Sequence, residues 1–258
     1  MSDILLNQDE RLDYVNEKIT LIQKKDGLTF GTDAFLLAAF IKPQKNAEAI
    51  ELGAGTGIIS LLCAAREKFG HITAYEIQED FFSITERNIA YNGLTEKITA
   101  VNDDVRNING KTLKKEVDVV FSNPPYMKTT SGKRNTSDRK YIARHEVCGG
   151  IFDFCSAAGR ALKHGGRFYC VWRPDRLTSL LTAMTESRLE PKSMIFVHSD
   201  ENSEPSMVLI SAVKGGAEGL KIMPPLFLNH PLLDGDNGGA RKMTARAQKI
   251  YDTMSFGD

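Results

Sequence analysis

Apolar runs of five to seven residues alternate with longer stretches of helical period along most of the chain. That alternation predicts strands separated by helices, and so a doubly wound, mostly parallel α/β sheet. Six-residue runs at 47–52, 71–76 and 117–122, with shorter or longer ones at 98–102 and 167–173, read as five strands. Helical spacing covers 33–41, 58–69, 80–92, 146–162 and 177–187, with Pro43 and Gly93 as stop signals after two of these stretches. Two final runs, 194–198 and 207–213, are joined by a short polar loop with no helix between them, which predicts an antiparallel strand at one edge. The sum is a seven-stranded sheet.

The ends of the chain depart from this rhythm. Residues 1–45 mix polar positions with Leu12, Tyr14, Val15, Ile19, Leu21 and Ile22, as an amino-terminal extension with short strands would. The sheet-forming domain runs from 46 to 213. Residues 214–258, with a weakly apolar stretch at 220–228 and a short helix near 240–254, read as a carboxy-terminal extension. No apolar run reaches the roughly 18 residues that span a bilayer, and the first ten residues lack the basic start and apolar core of a signal peptide, so a cytoplasmic location is expected. Hydrophobic residues make up 41% and charged residues 26%, which fits an ordinary folded domain. Lysine plus arginine equals aspartate plus glutamate at 33 each, so only local clustering can argue for nucleic acid. None of Cys63, Cys148, Cys155 and Cys170 forms a Cys-x-x-Cys pair, and no metal site is expected.

The chemistry begins at Asn123-Pro124-Pro125-Tyr126, directly after the fourth strand. An amine conjugated to a ring or carbonyl is a poor nucleophile because its lone pair is spread into the π system. An asparagine oxygen and a neighbouring backbone carbonyl can each accept one of its N–H groups and pull the nitrogen toward tetrahedral geometry. Two prolines fix φ and remove two donors, leaving carbonyls in a stiff frame. Tyr126 adds a flat face for a planar substrate.

Upstream, Glu51 precedes Gly53, Gly55 and Gly57, between the first sheet strand and its helix. Glycines here allow a tight turn and close approach of a ligand. The Gly-x-Gly-x-Gly spacing differs from the Gly-x-Gly-x-x-Gly of dinucleotide sites, and Glu51 can face a sulfonium-bearing ligand; both favour S-adenosylmethionine over NAD. Glu76, ending the second strand, can accept both ribose hydroxyls, with Ile77 against the adenine face. Asp104 is expected to accept from the adenine amine with Val105 as apolar lining, and Asp103 is the alternative. All of these positions lie at the carboxyl ends of successive strands, where open α/β sheets bind ligands. Farther on, the loop at 127–144 carries Lys128, Lys133, Arg134, Arg139, Lys140 and Arg144 against a single acid, Asp138. Such a loop beside the turn can hold RNA phosphates.

These motifs together, over about residues 28–213, resemble the class I S-adenosylmethionine-dependent methyltransferases of the amino-methylating branch. Within that branch the chain is similar to the bacterial tRNA1(Val) adenine-37 N6-methyltransferase family. The likeness is carried further by the run from Phe30-Gly31-Thr32-Asp33 to Ala38, by Arg144-His145-Glu146 and by Arg173-Pro174-Asp175-Arg176-Leu177. The resemblance implies that Phe30 and Thr32 border the methionine end of the cofactor, and that the substrate is the N6 amine of an anticodon-loop adenine in tRNA. Asp33 suits an anion site poorly and reads as a helix amino-terminal acid. Glutamine N5 methylation of a protein and guanine N2 methylation of ribosomal RNA use the same planar NH2 and are the alternatives.

Overall fold

The computed structural model describes residues 6–26, 31–125, 149–231 and 241–257. Phe30, Tyr126, Lys128, Lys133, Arg134, Arg139, Lys140, Arg144 and Cys148 lie outside them. Two strands, β1 (Glu10–Asn16) and β2 (Ile19–Lys24), form an antiparallel ribbon. Then follow α1 (Thr32–Phe40), β3 (Glu48–Leu52), α2 (Ile58–Ala65), β4 (His71–Tyr75), α3 (Glu79–Tyr91), β5 (Ile98–Val101) and β6 (Val117–Ser122). After residue 148 come α4 (Ile151–Ala161), β7 (Leu162–Trp172), α5 (Leu177–Glu186), β8 (Leu189–His198) and β9 (Pro205–Lys214). Two short strands, β10 (Lys221–Ile222) and β11 (Leu226–Phe227), and α6 (Ala245–Thr253) complete the order.

The sheet runs β10-β8-β9-β7-β6-β3-β4-β5, with β11 also paired to β8. Pairings from β5 through β7 are parallel, as the alternating pattern requires. One expectation is corrected here. The antiparallel strand β9 is not at an edge: it lies between β7 and β8 and is antiparallel to both. Its Val208, Leu209 and Ile210 are fully buried, which an edge strand would not achieve. Among the described residues the sheet also has nine strands, because β10 and β11, from the stretch read as an extension, add to β8.

Side chains alternate cleanly between two cores. Ala49, Val119, Phe121, Tyr169, Val171 and Leu209 face α1, α2 and α3, while Ile50, Leu52, Val120, Phe168, Cys170 and Ile210 face α4 and α5. α1 is apolar on nearly every side, with seven of its nine residues buried. The reason is that α6 covers it from outside: Phe35 stacks on Tyr251 with centroids 4.3 Å apart, and Phe40 meets Phe256 edge-on. Lys68 fastens this arrangement. Its buried ammonium donates to the carbonyls of Ala38, Ile41 and Met254, joining α1 to the carboxy-terminal segment. The β1–β2 ribbon is held through α3, where the Asn88 and Asn92 side chains each accept from and donate to the β2 backbone.

Candidate active site

The parallel register decides what the site contains. Leu52 pairs with Ser122 on one side and Tyr75 on the other, and Tyr75 pairs with Val101. The next residues in sequence, Asn102, Glu76, Gly53 and Asn123, therefore leave the sheet in one row at its carboxyl edge. Neighbours in that row are about 5 Å apart, the spacing of adjacent strands. Side chains knit the row together. Ser122 Oγ donates to the Leu52 carbonyl at 2.7 Å, and Asn102 Nδ2 donates to the Glu76 carbonyl at 2.9 Å.

In the glycine loop, Gly53, Gly55 and Gly57 all have positive φ, at 71°, 58° and 80°. A side chain at Gly53 would meet the Phe154 ring at 3.0 Å, and one at Gly57 would meet Thr85 at the same distance. At Gly55 it would meet nothing within 4 Å, so a Cβ there would stand in open space above the loop, where a ligand can approach backbone. Glu76 is almost fully buried, and its two carboxylate oxygens accept from the Gly55 and Gln78 N–H groups, each at 2.8 Å. Burial raises the Glu76 pKa, against the pull of those backbone donors. Ile77 beside it is half-buried.

Two of the expected acids are engaged by neighbouring residues. Glu51 is 1% exposed, and one of its carboxylate oxygens, Oε2, accepts from both the backbone N–H and the hydroxyl of Ser60 in the first turn of α2. Burial pushes its pKa up to about 8 despite those donors. It fastens strand to helix beneath the loop. Asp104 caps a short 3-10 turn, accepting from the Arg106 N–H, and both its oxygens accept from the Arg106 guanidinium. Burial works to raise its pKa, but Arg106 prevails and holds it below the usual carboxylate range. Asp103 is less committed: among the described residues only its Oδ1 accepts, from the Asp104 N–H and Asn107 Nδ2. Val105 is buried.

Asn123 is half-buried, Pro124 buried and Pro125 half-buried. The Asn123 amide donates through Nδ2 to Asp33 Oδ2 at 2.8 Å, across 90 residues of sequence. Asp33 Oδ1 accepts from the Ala34 N–H, as an acid in a helix's first turn does, so the same carboxylate joins α1 to the proline turn. Beside this contact lies a pocket of about 200 Å³ lined by Thr32, Asp33, Trp172, Arg173, Ser206 and Met207. Whole-ligand sites typically measure roughly 300–1,000 Å³, so it suits one ring-sized group. Sequence reasoning missed Trp172, Ser206 and Met207 as site residues. The only signal was that β7 ends beside β6, which places Trp172 near the row.

The methyltransferase small domain family matches residues 24–187. A tRNA1(Val) (adenine(37)-N6)-methyltransferase of Phocaeicola vulgatus is 29% identical over 195 residues, covering 76% of this chain and 81% of the relative. A Bacteroides fragilis protein of the same description is 26% identical over 199 residues, with 76% and 81% covered. Among solved structures, a predicted O-methyltransferase of Agrobacterium tumefaciens superposes with a TM-score of 0.65 at 20% identity, covering 87% of this chain and 97% of that one. The structure of M. jannaschii TYW2 in complex with AdoMet superposes with a TM-score of 0.55 at 13% identity, covering 81% and 87%. With that family match spanning more than half of its length, the chain belongs to the methyltransferase small domain family.

Proposed function

We propose that this enzyme methylates the N6 amine of an adenine in tRNA, with S-adenosylmethionine as donor, and that adenine 37 of tRNA1(Val) is the target. The observation that carries the reading is the register of β3, β4 and β6, which sets Gly53, Glu76 and Asn123 side by side. The relatives' description supplies the RNA and the position.

The residues present fit the donor. Glu76, directly after β4, would accept from the ribose hydroxyls, Gly55 leaves space for backbone to approach, and Ile77 and Val105 would offer apolar surface to the adenine. Asp103, one of whose oxygens accepts nothing among the described residues, is better placed than Asp104 to accept from the adenine amine. Thr32 and Phe30 belong at the methionine end. The bound donor supplies a methyl group on a sulfonium sulfur, open to in-line attack by an amine.

The chain's own work is to prepare that amine. Asn123 Oδ1 and the Pro124 carbonyl each accept one N–H, drawing the nitrogen toward tetrahedral and concentrating its lone pair. Pro125 keeps the corner stiff, and Tyr126 stacks on the base. No base needs to act before attack, because the proton becomes acidic only after the nitrogen is cationic. Positioning is the main source of rate. Extruding a base costs less from a loop than from a duplex, which suits an anticodon-loop target. Lys128, Lys133, Arg134, Arg139 and Lys140 hold the RNA backbone in this reading.

The test is nucleoside mass spectrometry of unmodified tRNA incubated with the protein and S-adenosylmethionine. N6-methyladenosine at one anticodon-loop position is expected. N2-methylguanosine, or label found in protein instead of RNA, would overturn the substrate assignment.

A further inference from the structure

We propose that Asp33 is a positioning residue that sets which end of the Asn123 amide faces the substrate amine, an inference that rests on the reading of Asn123 above. An asparagine side chain has two faces of nearly equal shape and opposite chemistry, an oxygen that only accepts and an NH2 that only donates. Half a turn about its last bond exchanges them. Only the orientation with oxygen toward the substrate can accept an N–H of the amine. The inverted one sets donor against donor.

Asp33 removes that ambiguity. A carboxylate can only accept, and its Oδ2 lies 2.8 Å from Asn123 Nδ2. Inverting the amide would press the Asn123 oxygen against a carboxylate oxygen. Nor can Asp33 readily turn aside. Its Oδ1 is held at 2.9 Å by the N–H of Ala34, a backbone donor fixed by the first turn of α1. That turn is itself secured from behind, where Tyr251 stacks on Phe35, and where Lys68 ties the far end of α1 to Met254. The carboxy-terminal helix thus supports the orientation of the amide from outside the sheet. Asp33 touches no reacting atom. It acts through Asn123.

The geometry separates this role from a merely structural one. Asp33→Ala removes this acceptor and with it the bias that Asp33 places on the Asn123 amide, for an expected fall in kcat of about two- to fivefold. Asp33→Asn keeps shape and volume, yet it is expected to be worse. The fixed Ala34 N–H claims the new side chain's oxygen, so its NH2 faces Asn123 and draws the Asn123 oxygen away from the substrate. One hydrogen bond's preference for the inverted form gives roughly a tenfold lower kcat than Asp33→Ala. The double variant Asp33→Asn with Asn123→Asp restores the pattern. The amide introduced at position 33 would donate to the carboxylate introduced at position 123, whose second oxygen faces the amine, and kcat should rise about tenfold above D33N.

Single-turnover methyl transfer into tRNA would be measured for the three variants and Asn123→Ala, with thermal midpoint and S-adenosylmethionine affinity recorded for each. The proposal predicts kcat in the order wild type, D33A, D33N, with recovery in the swapped pair and cofactor affinity unchanged throughout. Asp33→Asn equal to or more active than Asp33→Ala, or a swapped pair no better than D33N, would overturn it. Full activity in Asn123→Ala would instead refute the reading of Asn123 on which it stands.

Discussion

Replacing Glu76 by glutamine separates donor binding from the rest of the fold. Glu76 is 4% exposed, and its two oxygens accept from Gly55 and Gln78, each at 2.8 Å. Glutamine keeps the length but offers one oxygen and one NH2, so one backbone N–H then faces a donor in a site almost closed to water. The same substitution takes one acceptor away from the ribose. A hydrogen bond to a charged group contributes about 1.5–3 kcal/mol, so losing one at the ribose weakens donor affinity by roughly 10- to 150-fold. Loosening of the Gly55 backbone can only add to that. Isothermal titration with S-adenosylmethionine reads the effect directly, and Asn123→Ala, which leaves the loop intact, is the control. Because burial raises the Glu76 pKa, the wild-type enzyme should also lose donor affinity on acidification at a pH above the usual carboxylate range. Wild-type affinity in Glu76→Gln would refute the placement of the ribose at this acid.

Two further substitutions test the frame. Glu51 is buried with its pKa raised to about 8 from 4.5, so the folded state holds its proton more tightly than the unfolded chain. That contribution to stability is full below pH 4.5 and is lost as pH rises to about 8, by an amount on the order of several kcal/mol. Glu51→Gln, which imitates the protonated acid, should flatten the fall in urea midpoint across this window, and an unchanged slope would count against the buried-acid assignment. Lys68→Met leaves three buried carbonyls without their donor. A loss of about 3 kcal/mol is expected, lowering the melting temperature by roughly 6–12 °C, with faster proteolysis at residues 241–257; an unaltered digestion pattern would show that Lys68 does not anchor that segment.

Much of this arrangement is legible in the chain itself. The glycine loop, Glu76 and the Asn-Pro-Pro turn can be read because each directly follows an apolar strand, and a parallel sheet brings strand ends to one edge. What cannot be read depends on contacts between distant residues. Strand β9 has the local pattern of any buried strand, and nothing in 205–214 states that it inserts between β7 and β8. The two-residue strands β10 and β11 are too short for periodicity to mark. Asp33 reads as a helix-terminal acid because one of its oxygens is used that way, while its bond to Asn123 spans 90 residues. Glu51 is expected from its position to face the ligand. The sequence shows an acid before the glycines, but not that Ser60, nine residues on, takes up its carboxylate.

The central claim is that Asn123 prepares a planar amine for methylation. The most direct measurement is single-turnover transfer from saturating S-adenosylmethionine into unmodified tRNA, comparing wild type with Asn123→Ala. The account predicts a rate lower by at least about a hundredfold, the scale of removing one positioned hydrogen-bond partner of a reacting group, with donor affinity unchanged. A variant that methylates at the wild-type rate would contradict it.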